Sequence, residues 1–341
     1  MIFIDNIVAT LQRTGGISIL FRELEQRLTR DKIAFTKISY DQTETSPGHI
    51  QTRPRPLERY RPCKLKHPKH TSIFHSTYYR IPAQKDNLRI ITTVHDFTYE
   101  KFVGGLRKLV HSTQKNHAIK NSDAIICVSH NTRNDLLDLL PDITPEKIFV
   151  VHNGVSSGFY PAKERALKNQ VLFVGQRGRY KNFLSVVKAL SMLNEISISC
   201  VGGGPFTKEE FEILEKNIPG RYKHLGYIDE CELNSQYNNS IALIYPSLYE
   251  GFGIPVIEAM RAGCPVIAVN SSSIPEVAGD AALLMERGTP DEIKSALEKL
   301  EQSEYREKLI SLGISQAEKF SWERTYQETL SVYRQLLPNS I

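Results

Sequence analysis

The sequence predicts an α/β protein made of two doubly wound, Rossmann-like domains that face each other across a cleft. Three observations support this prediction. The chain has 341 residues, which exceeds the size of one ordinary domain. Short runs rich in Val and Ile alternate with amphipathic stretches of helical period along nearly the whole chain. Continuous apolar runs of this kind are typical of parallel strands that helices cover on both faces.

The strand-like runs divide into two sets. The first set spans residues 2–8, 35–40, 72–76, 89–96, 123–129 and 147–154, with helical stretches at 17–30 and 131–140. The second set spans residues 170–175, 196–204, 241–247, 264–270 and 281–285. Apolar periodicity lapses over 156–170, so we expect one domain over 1–160 and another over 161–321. Ligands of such sheets bind beyond the carboxyl ends of the strands, which makes the cleft the expected site.

Composition argues against several other classes of protein. No run of about 18 apolar residues occurs, and the first residues lack the pattern of a secretory signal. The five cysteines are scattered and never form a CxxC pair, which predicts reduced thiols in a cytosolic protein. No Walker A motif, HExxH, GxSxG or complete GxGxxG is present, so the sequence does not indicate an NTPase, a zinc protease or a dinucleotide oxidoreductase.

Charge is distributed unevenly along the chain. Residues 1–160 contain 23 Lys and Arg against 15 Asp and Glu, a net of +8, whereas residues 161–341 contain 20 against 23, a net of −3. The excess indicates either an anionic partner for the first half or a basic surface with no target. Residues 51–70 hold seven Lys and Arg, two His, four Pro and one Glu, which predicts a solvated basic loop. The stretch 104–120 adds Arg107, Lys108, Lys115 and Lys120 to this expected surface.

The partner of the basic surface is expected to be anionic lipid or a phosphorylated acceptor. A polybasic segment favours an anionic membrane surface. Nucleic acid is not favoured, because no recognition fold or aromatic platform accompanies the basic residues. A surface that serves solubility alone is the alternative.

The stretch EGFGIPVIE at 250–258 follows a strand-like run and predicts a turn and then a helix from Pro255 to Gly263. We expect Glu250 to accept hydrogen bonds from sugar hydroxyls and Glu258 to accept them from a ribose diol. Gly251 and Gly253 leave the backbone bare, so amides at the helix entrance could hold phosphate; the residues concerned are Phe252, Gly253, Ile254, Pro255 and Val256. Sugar, diphosphate and ribose together make a nucleotide-sugar. The alternative is a capped helix with two surface glutamates, and a hydrolase pair is disfavoured because its carboxyls flank a single bond.

Cations that could stabilise a departing diphosphate lie in FVGQRGRYKNF at 173–183, which supplies Arg177, Arg179 and Lys181. The chain contains no Asp-x-Asp, so we expect side chains and not a metal to perform this task. In the first half, Gly15 and Gly16 precede a helix and could form a second backbone cradle. His95 and Asp96 end a buried strand, where active-site groups of such sheets gather. A basic surface loop and a structural histidine are the alternatives.

These stretches together resemble the family 4 retaining glycosyltransferases of the GT-B fold. The resemblance runs over nearly the whole chain, and the two glutamates of the 250–258 stretch are its most specific part. HSTYYRIP (75–82), TVHDFTYEKF (93–102) and ICVSHNTRNDL (126–136) look most like the bacterial mannosyltransferases of O-antigen and polysaccharide assembly.

The resemblance implies a role for each matching residue. Glu250 would contact the transferred sugar, Glu258 the ribose and Lys181 the diphosphate, while His95 would lie beside the reacting carbon. Further donor-binding residues implied by the resemblance are Gly16, Asn182, Gly204, Pro205, Tyr227 and Ile228. The family commonly has Arg where this chain has Gln176, so the charge is expected at Arg177 before Arg179. The last helix, at about 322–341, would pack back on the first domain.

The activity implied is a retaining hexose transfer that uses no metal and no other cofactor. The donor is expected to be a nucleotide-diphosphate sugar, with GDP-mannose or a derived sugar first and UDP- or dTDP-sugars open. The acceptor would be a glycan on a lipid diphosphate, reached by a protein peripheral on the cytoplasmic face of the membrane. The alternatives are a nucleotide-sugar epimerase of the same fold and a non-catalytic nucleotide- or glycan-binding protein.

Overall fold

A computed structural model describes residues 1–11, 15–40, 49–65, 68–164 and 166–338. Contacts between residues divide the chain into two compact units. Unit 1 comprises Met1–Gly154 together with Trp322–Ile341, and unit 2 comprises Val155–Ser321.

Unit 1 is built on a seven-stranded sheet in which every strand pairs parallel to its neighbour. The strands are β1 (Ile2–Asp5), β2 (Phe35–Ser39), β3 (His49–Gln51), β4 (Ser72–Ser76), β5 (Leu88–Val94), β6 (Ala124–Cys127) and β7 (Ile148–Val150). Their order is β3-β2-β1-β4-β5-β6-β7. Four helices belong to the first 154 residues as far as these are described: α1 (Gly16–Arg30), α2 (Thr98–Phe102), α3 (Gly105–Lys120) and α4 (His130–Leu139). The central strands β1, β4 and β6 are buried along their whole length, which explains the adjacent large apolar residues in each of them.

Unit 2 repeats the plan with a six-stranded parallel sheet in the order β10-β9-β8-β11-β12-β13. The strands are β8 (Gln170–Val174), β9 (Ser197–Val201), β10 (Tyr222–Gly226), β11 (Leu243–Tyr245), β12 (Val266–Val269) and β13 (Leu283–Met285). The helices are α5 (Phe183–Ser191), α6 (Lys208–Asn217), α7 (Glu230–Asn239), α8 (Ile254–Arg261), α9 (Ile274–Ala278), α10 (Pro290–Lys299) and α11 (Ser303–Ala317). One cluster of buried aliphatic and aromatic side chains lies between the sheet and helices α5, α6 and α10.

The last helix, α12 (Trp322–Leu336), returns to unit 1 and packs against α1. The hydroxyl of Tyr326 donates to the carboxylate of Asp31 at 2.8 Å, and Glu323 pairs with Arg30 at 2.7 Å. Deeper in the unit, the hydroxyl of Tyr333 and Nδ1 of His75 share a hydrogen bond of 2.6 Å. The buried face of this amphipathic helix therefore packs on the sheet of unit 1.

The boundary between the units falls six residues before the expected one, at Gly154. Val155 forms a bridge with Ser321, and the carbonyl of Phe159 accepts a hydrogen bond from Arg261 at 3.2 Å. The amide of Tyr160 donates to Asn234 at 3.1 Å. These contacts assign residues 155–160 to unit 2, although their sequence is irregular.

The basic segment 51–70 differs from the solvated loop that its composition predicts; residues 66 and 67 lie outside the described part. Cys63 is fully buried and forms a bridge with Pro82. Glu58 is also buried, and its carboxylate accepts hydrogen bonds from Arg55 and Arg80, each at 2.7 Å. The segment is thus anchored on the unit, because its single acidic side chain completes a buried ion-pair network with Arg80.

Four of the five cysteines are buried, and Cys231 is exposed. In the described part of the chain, the helices are too short or too polar to cross a membrane.

Candidate active site at the carboxyl edge of unit 2

The strand order of unit 2 reverses between β8 and β11, and this point positions the site. From β8 the chain proceeds outward to β9 and β10, and from β11 it proceeds to the other edge. The loops that follow β8 and β11 therefore diverge and leave a crevice at their carboxyl ends, where ligands of doubly wound sheets bind. The loop after β8 carries Lys181, and the loop after β11 carries Glu250.

Lys181 and Glu250 form an ion pair at this point, although 69 residues separate them in the sequence. Their side chains are 12% and 13% exposed, so both are largely shielded from water. The hydroxyl of the buried Tyr245, at the end of β11, also donates to Glu250. Burial raises the pKa of Tyr245 well above its usual value, so the phenol stays protonated and acts as a donor. Glu250 is thus held in one place by a cation and a hydroxyl.

The turn between Glu250 and α8 is fixed by two serines that follow β12. The hydroxyl of Ser272 accepts a hydrogen bond from the amide of Glu250 at 2.8 Å. The hydroxyl of Ser273 donates to the carbonyls of Glu250 and Phe252 at 3.0 and 2.9 Å. Sequence reasoning missed both serines; the available signal was that they follow an apolar strand run, whose carboxyl end lies at the same edge of a parallel sheet.

Gly253 permits the entry into α8. Its φ of 106° lies in the left-handed region, and a Cβ there would stand 2.8 Å from Cδ1 of Ile274. The helix begins at Ile254, one residue before the expected Pro255. Pro255 has no N–H, and the amide of Val256 donates to the carbonyl of Gly253 at 2.9 Å. The amide cradle expected over 252–256 is therefore reduced to at most Phe252, Gly253 and Ile254.

Glu258 lies one turn inside α8 and is buried. Burial raises its pKa to about 7, against the effect of the Tyr237 hydroxyl, which donates to Oε2 at 3.0 Å. The expectation of a surface glutamate from the capped-helix alternative is wrong for this residue. Tyr237, on α7, was not identified from the sequence, because only the fold brings α7 beside α8.

Arg177 does not lie free in the crevice. Its guanidinium is buried and donates to the carbonyls of Gly204 and Pro205, each at 2.9 Å, and to Glu210 at 3.1 Å. These bonds fix the glycine turn that follows β9. Arg179, in contrast, is exposed. The structure therefore gives Arg177 a role in the turn and leaves Arg179 as the accessible guanidinium of this loop.

Three other sequence-predicted residues lie on neighbouring loops of the same edge. The side-chain amide of Asn182 donates to the carbonyl of Gly288 at 2.9 Å, so it links the β8 and β13 loops. Tyr227 follows β10 and is 67% exposed, with Ile228 partly covered beside it. The Tyr227 ring lies next to the glycine turn after β9, where a Cβ on Gly202 would come within 3.8 Å of it.

The remaining predicted residues belong to unit 1. Nε2 of His95 is shielded from solvent and, within the described residues, has no hydrogen-bond partner. Burial lowers the pKa of His95 to about 4, which keeps the ring neutral at pH 7. A carboxylate oxygen of Asp96 accepts from the amide of Thr98 at 2.8 Å and so helps to begin α2. Gly15 precedes α1, and Gly16 is exposed at the first position of that helix, while residues 12–14 lie outside the described part.

Lys115 was expected on the basic surface, and that expectation is wrong. Its ammonium group is buried and donates to Glu100 at 2.7 Å and to the carbonyl of Asp96 at 2.9 Å. It also lies 4.4 Å from the centre of the Phe97 ring. Lys115 therefore supports the turn that carries His95 and Asp96.

Comparison with solved structures defines the class of protein. Sucrose-phosphate synthase from Thermosynechococcus elongatus superposes with a TM-score of 0.80 at 19% identity over 99% of each chain. The Anabaena protein HepE, solved in complex with UDP-glucose, superposes with a TM-score of 0.73 at 13% identity over 97% of this chain and 99% of that one. The fold is accordingly that of the GT-B glycosyltransferases, as the sequence predicted.

Family comparison leads to the same class. Residues 14–158 match the model described as Glycosyltransferase Family 4, and residues 161–316 match the model described as Glycosyl transferases group 1. The chain belongs to the family 4 glycosyltransferases and is a glycosyltransferase. It is 26% identical to O-antigen chain mannosyltransferase B of Escherichia coli over 318 residues, which cover 84% of this chain and 82% of that protein.

Proposed function

We propose that the protein is a retaining, metal-independent hexosyltransferase that moves mannose or a mannose-derived sugar from a GDP-linked donor to a lipid-linked glycan. The product would be O-antigen or another surface polysaccharide, made at the cytoplasmic face of the membrane by a peripherally bound enzyme. The name of the similar E. coli protein, O-antigen chain mannosyltransferase B, supports the sugar and the process. The observation that carries the proposal is the Lys181–Glu250 pair at the strand-order reversal of unit 2.

Lys181 supplies positive charge where a departing diphosphate needs it. When the bond between the anomeric carbon and the phosphate oxygen breaks, negative charge develops on that oxygen. A fixed ammonium in a site that excludes water stabilises this charge, typically by about 3–4 kcal/mol in the transition state. Arg179 is the second cation that this loop offers.

Glu250 acts as a hydrogen-bond acceptor in this proposal. The ion pair with Lys181 and the hydrogen bond from Tyr245 stabilise the negative charge of Glu250 and fix its orientation. A carboxylate held in this way is better suited to bind sugar hydroxyls than to attack as a nucleophile. The acceptor hydroxyl then forms the new bond to the anomeric carbon, and its proton passes to the departing phosphate oxygen. The nucleoside diphosphate leaves with that proton, so no carboxylate nucleophile and no metal is required.

Glu258 takes the ribose, and Tyr227 with Ile228 and the turn at Gly204 and Pro205 borders the base. Glu258 lies eight residues from Glu250, one turn inside α8. Its ionised form accepts hydrogen bonds from both hydroxyls of a vicinal diol. For unit 1, considered by itself, His95 is proposed as a contact to the sugar and Gly16 as a contact to the phosphates.

A transfer assay with purified protein tests the proposal. GDP-mannose labelled in the sugar is incubated with a glycan on a polyprenyl diphosphate analogue, with and without EDTA, and the anomeric configuration of the product is read by NMR. We expect an α-linked product and an unchanged rate in EDTA. A β-linked product would contradict retention, and activity that EDTA abolishes and a divalent metal restores would contradict the metal-free mechanism.

The donor is tested separately by thermal shift with GDP, UDP and dTDP. A ligand that binds the native state raises its stability in proportion to the logarithm of its concentration relative to Kd. We expect GDP to stabilise the protein most. Selective stabilisation by UDP or dTDP would overturn the GDP assignment. Conversion of the nucleotide-sugar into its epimer, with no acceptor and no net release of nucleotide, would show an epimerase.

A further inference from the structure

Large apolar side chains of unit 1 are exposed on α2 and on the first two turns of α3. Leu106 and Leu109 are 75% and 63% exposed, and Phe102 and Val110 are exposed as well. Leu106, Leu109 and Val110 have the i, i+3, i+4 spacing that places side chains on one face of a helix. An apolar face of this kind normally packs on a core, but here every residue from Gly104 to Val110 is exposed.

The segment that contains Leu57 and Tyr60 adds two further exposed apolar side chains. Leu57 is 71% exposed and has a φ of 57°, in the left-handed region. This conformation costs a leucine about 1–2 kcal/mol, so the turn holds its side chain outward at an energetic cost. The side chain of Gln114 on α3 donates to the carbonyl of Arg59, which joins the segment to the helix. We call these side chains the apolar patch: Leu57, Tyr60, Phe102, Leu106, Leu109 and Val110.

The surface around the apolar patch is basic, because its acidic residues are turned inward. Residues 53–64 and 98–110, all of which are described, contain only two carboxylates, Glu58 and Glu100. Glu58 is buried against Arg55 and Arg80, and the side chain of Glu100 is 8% exposed and pairs with Lys115. Lys101 is exposed but pairs with Asp135. The other exposed cations of the two stretches form what we call the basic rim: Arg53, Arg61, Lys64, Arg107 and Lys108.

We infer that the apolar patch enters the interface of an anionic lipid bilayer while the basic rim binds the lipid phosphates. A helix face with exposed leucines beside Arg and Lys is the pattern of interfacial membrane binding, in which apolar burial and attraction to anionic lipid add. Each cation near such a surface contributes about 1 kcal/mol. The inference rests on the proposed function for its purpose, since a lipid-linked acceptor lies in the membrane.

A second copy of the chain fits this surface poorly. A two-fold interface places the same surface on both sides, so the basic rim of one copy would face the basic rim of the other. Like charges opposed in this way are costly. A bilayer instead offers many mobile phosphates, which can bind Arg107 and Lys108. The apolar layer beneath the phosphates can accommodate their neighbours Leu106 and Leu109.

Vesicle flotation with the full chain tests the inference. Vesicles of phosphatidylcholine, with or without phosphatidylglycerol, are mixed with wild type, with the double variant Leu106→Gln/Leu109→Gln, or with the double variant Arg107→Gln/Lys108→Gln. Wild type is expected on the anionic vesicles, with less binding as salt rises. The leucine variant should bind about ten- to a hundred-fold more weakly at every salt concentration. The charge variant should lose about 30-fold at low salt and depend less on salt.

A matched control uses exposed apolar residues of unit 2. Leu167 and Phe211 are each 50% exposed, and the double variant Leu167→Gln/Phe211→Gln should float like wild type. The altered side chains of all these variants are exposed, so thermal unfolding temperatures should stay close to that of wild type. A leucine variant that floats as well as wild type, or a control variant that loses binding equally, would overturn the inference.

The remaining outcomes separate this inference from the proposed function and from other partners. Transfer to a short water-soluble acceptor should be unchanged in the Leu106→Gln/Leu109→Gln variant, because the proposed function assigns neither residue to the donor or the sugar. Wild type that floats on anionic vesicles but shows no transfer would refute the proposed function and leave the inference standing. Failure of wild type to float, combined with self-association in sedimentation that the leucine variant abolishes, would show that the patch is a protein interface and refute the inference.

Discussion

Replacing Tyr237 by Phe should shift the pH range over which the protein binds its nucleotide. Tyr237 donates a hydrogen bond of 3.0 Å to Glu258, the residue proposed to bind the ribose. Burial raises the pKa of Glu258 to about 7, and the Tyr237 hydroxyl opposes this rise because it stabilises the ionised carboxylate. Ribose hydroxyls are donors and bind the ionised form best. Nucleotide affinity of the wild type should therefore fall as the pH is lowered through about 7.

The size of the shift follows from the hydrogen bond that the substitution removes. A hydrogen bond to a charged group contributes about 1.5–3 kcal/mol. Since one pH unit corresponds to about 1.4 kcal/mol, the midpoint should move upward by about one to two pH units. At pH 8 the wild-type carboxylate is mostly ionised, whereas that of the variant is half to mostly protonated. The expected loss of affinity at pH 8 is about two- to ten-fold, and it should diminish as the pH is raised further.

Calorimetric titration of the preferred nucleoside diphosphate between pH 6 and 10 measures this shift. Glu258→Gln removes the titrating group, so its affinity should be low and should vary little over the same range. Tyr160→Phe serves as the control, because Tyr160 is an exposed tyrosine of the same unit. Coincident pH profiles for wild type and Tyr237→Phe would refute the reasoning, and so would a wild-type affinity that increases as the pH falls.

Three further predictions concern the loops at the carboxyl edge of unit 2. Lys181→Ala should lower kcat by about a hundred- to a thousand-fold, and an unchanged kcat would remove its ammonium from the transition state. Arg177→Ala should lower the unfolding temperature because the carbonyls of Gly204 and Pro205 lose their donor, whereas Arg179→Ala should spare stability and lower kcat/KM; the reverse pattern would make Arg177 the phosphate ligand. Gly253→Ala should destabilise the protein by about 1–3 kcal/mol in denaturant unfolding, while Gly178→Ala, whose Cβ meets nothing within 4 Å, should not; equal effects would contradict the strain at Gly253.

The sequence was sufficient to predict every central strand and two of the four edge strands, β7 and β13. Each of the eleven apolar runs overlaps a strand of the structure. The strands β3 (His49–Gln51) and β10 (Tyr222–Gly226) were not predicted, and both lie at the edge of a sheet. An edge strand is covered less completely than a central one, so His, Lys and Gln can occupy it and the continuous apolar signal is lost.

The backbone around the site could be predicted where single residues have strong local conformational preferences. The glycine turn and the helix after Glu250 could be read from the sequence because Gly253 and Pro255 have strong local preferences. The pairing of Lys181 with Glu250 could not, since it depends on two loops meeting at the reversal of strand order. The burial of Arg177 could not be predicted from the sequence for a similar reason, because its partners follow the next strand of the sheet.

The return of α12 to unit 1 has a consequence for how the chain folds during synthesis. The ribosome releases Tyr326 and Tyr333 after all of unit 2, yet their hydroxyls bond Asp31 and His75, which precede unit 2. Unit 1 therefore cannot complete its packing until all of unit 2 has been translated. Until then, the surface that α12 covers stays exposed. Unit 2 is one uninterrupted segment and has no such delay, so a nascent chain should acquire native structure in its middle before its beginning.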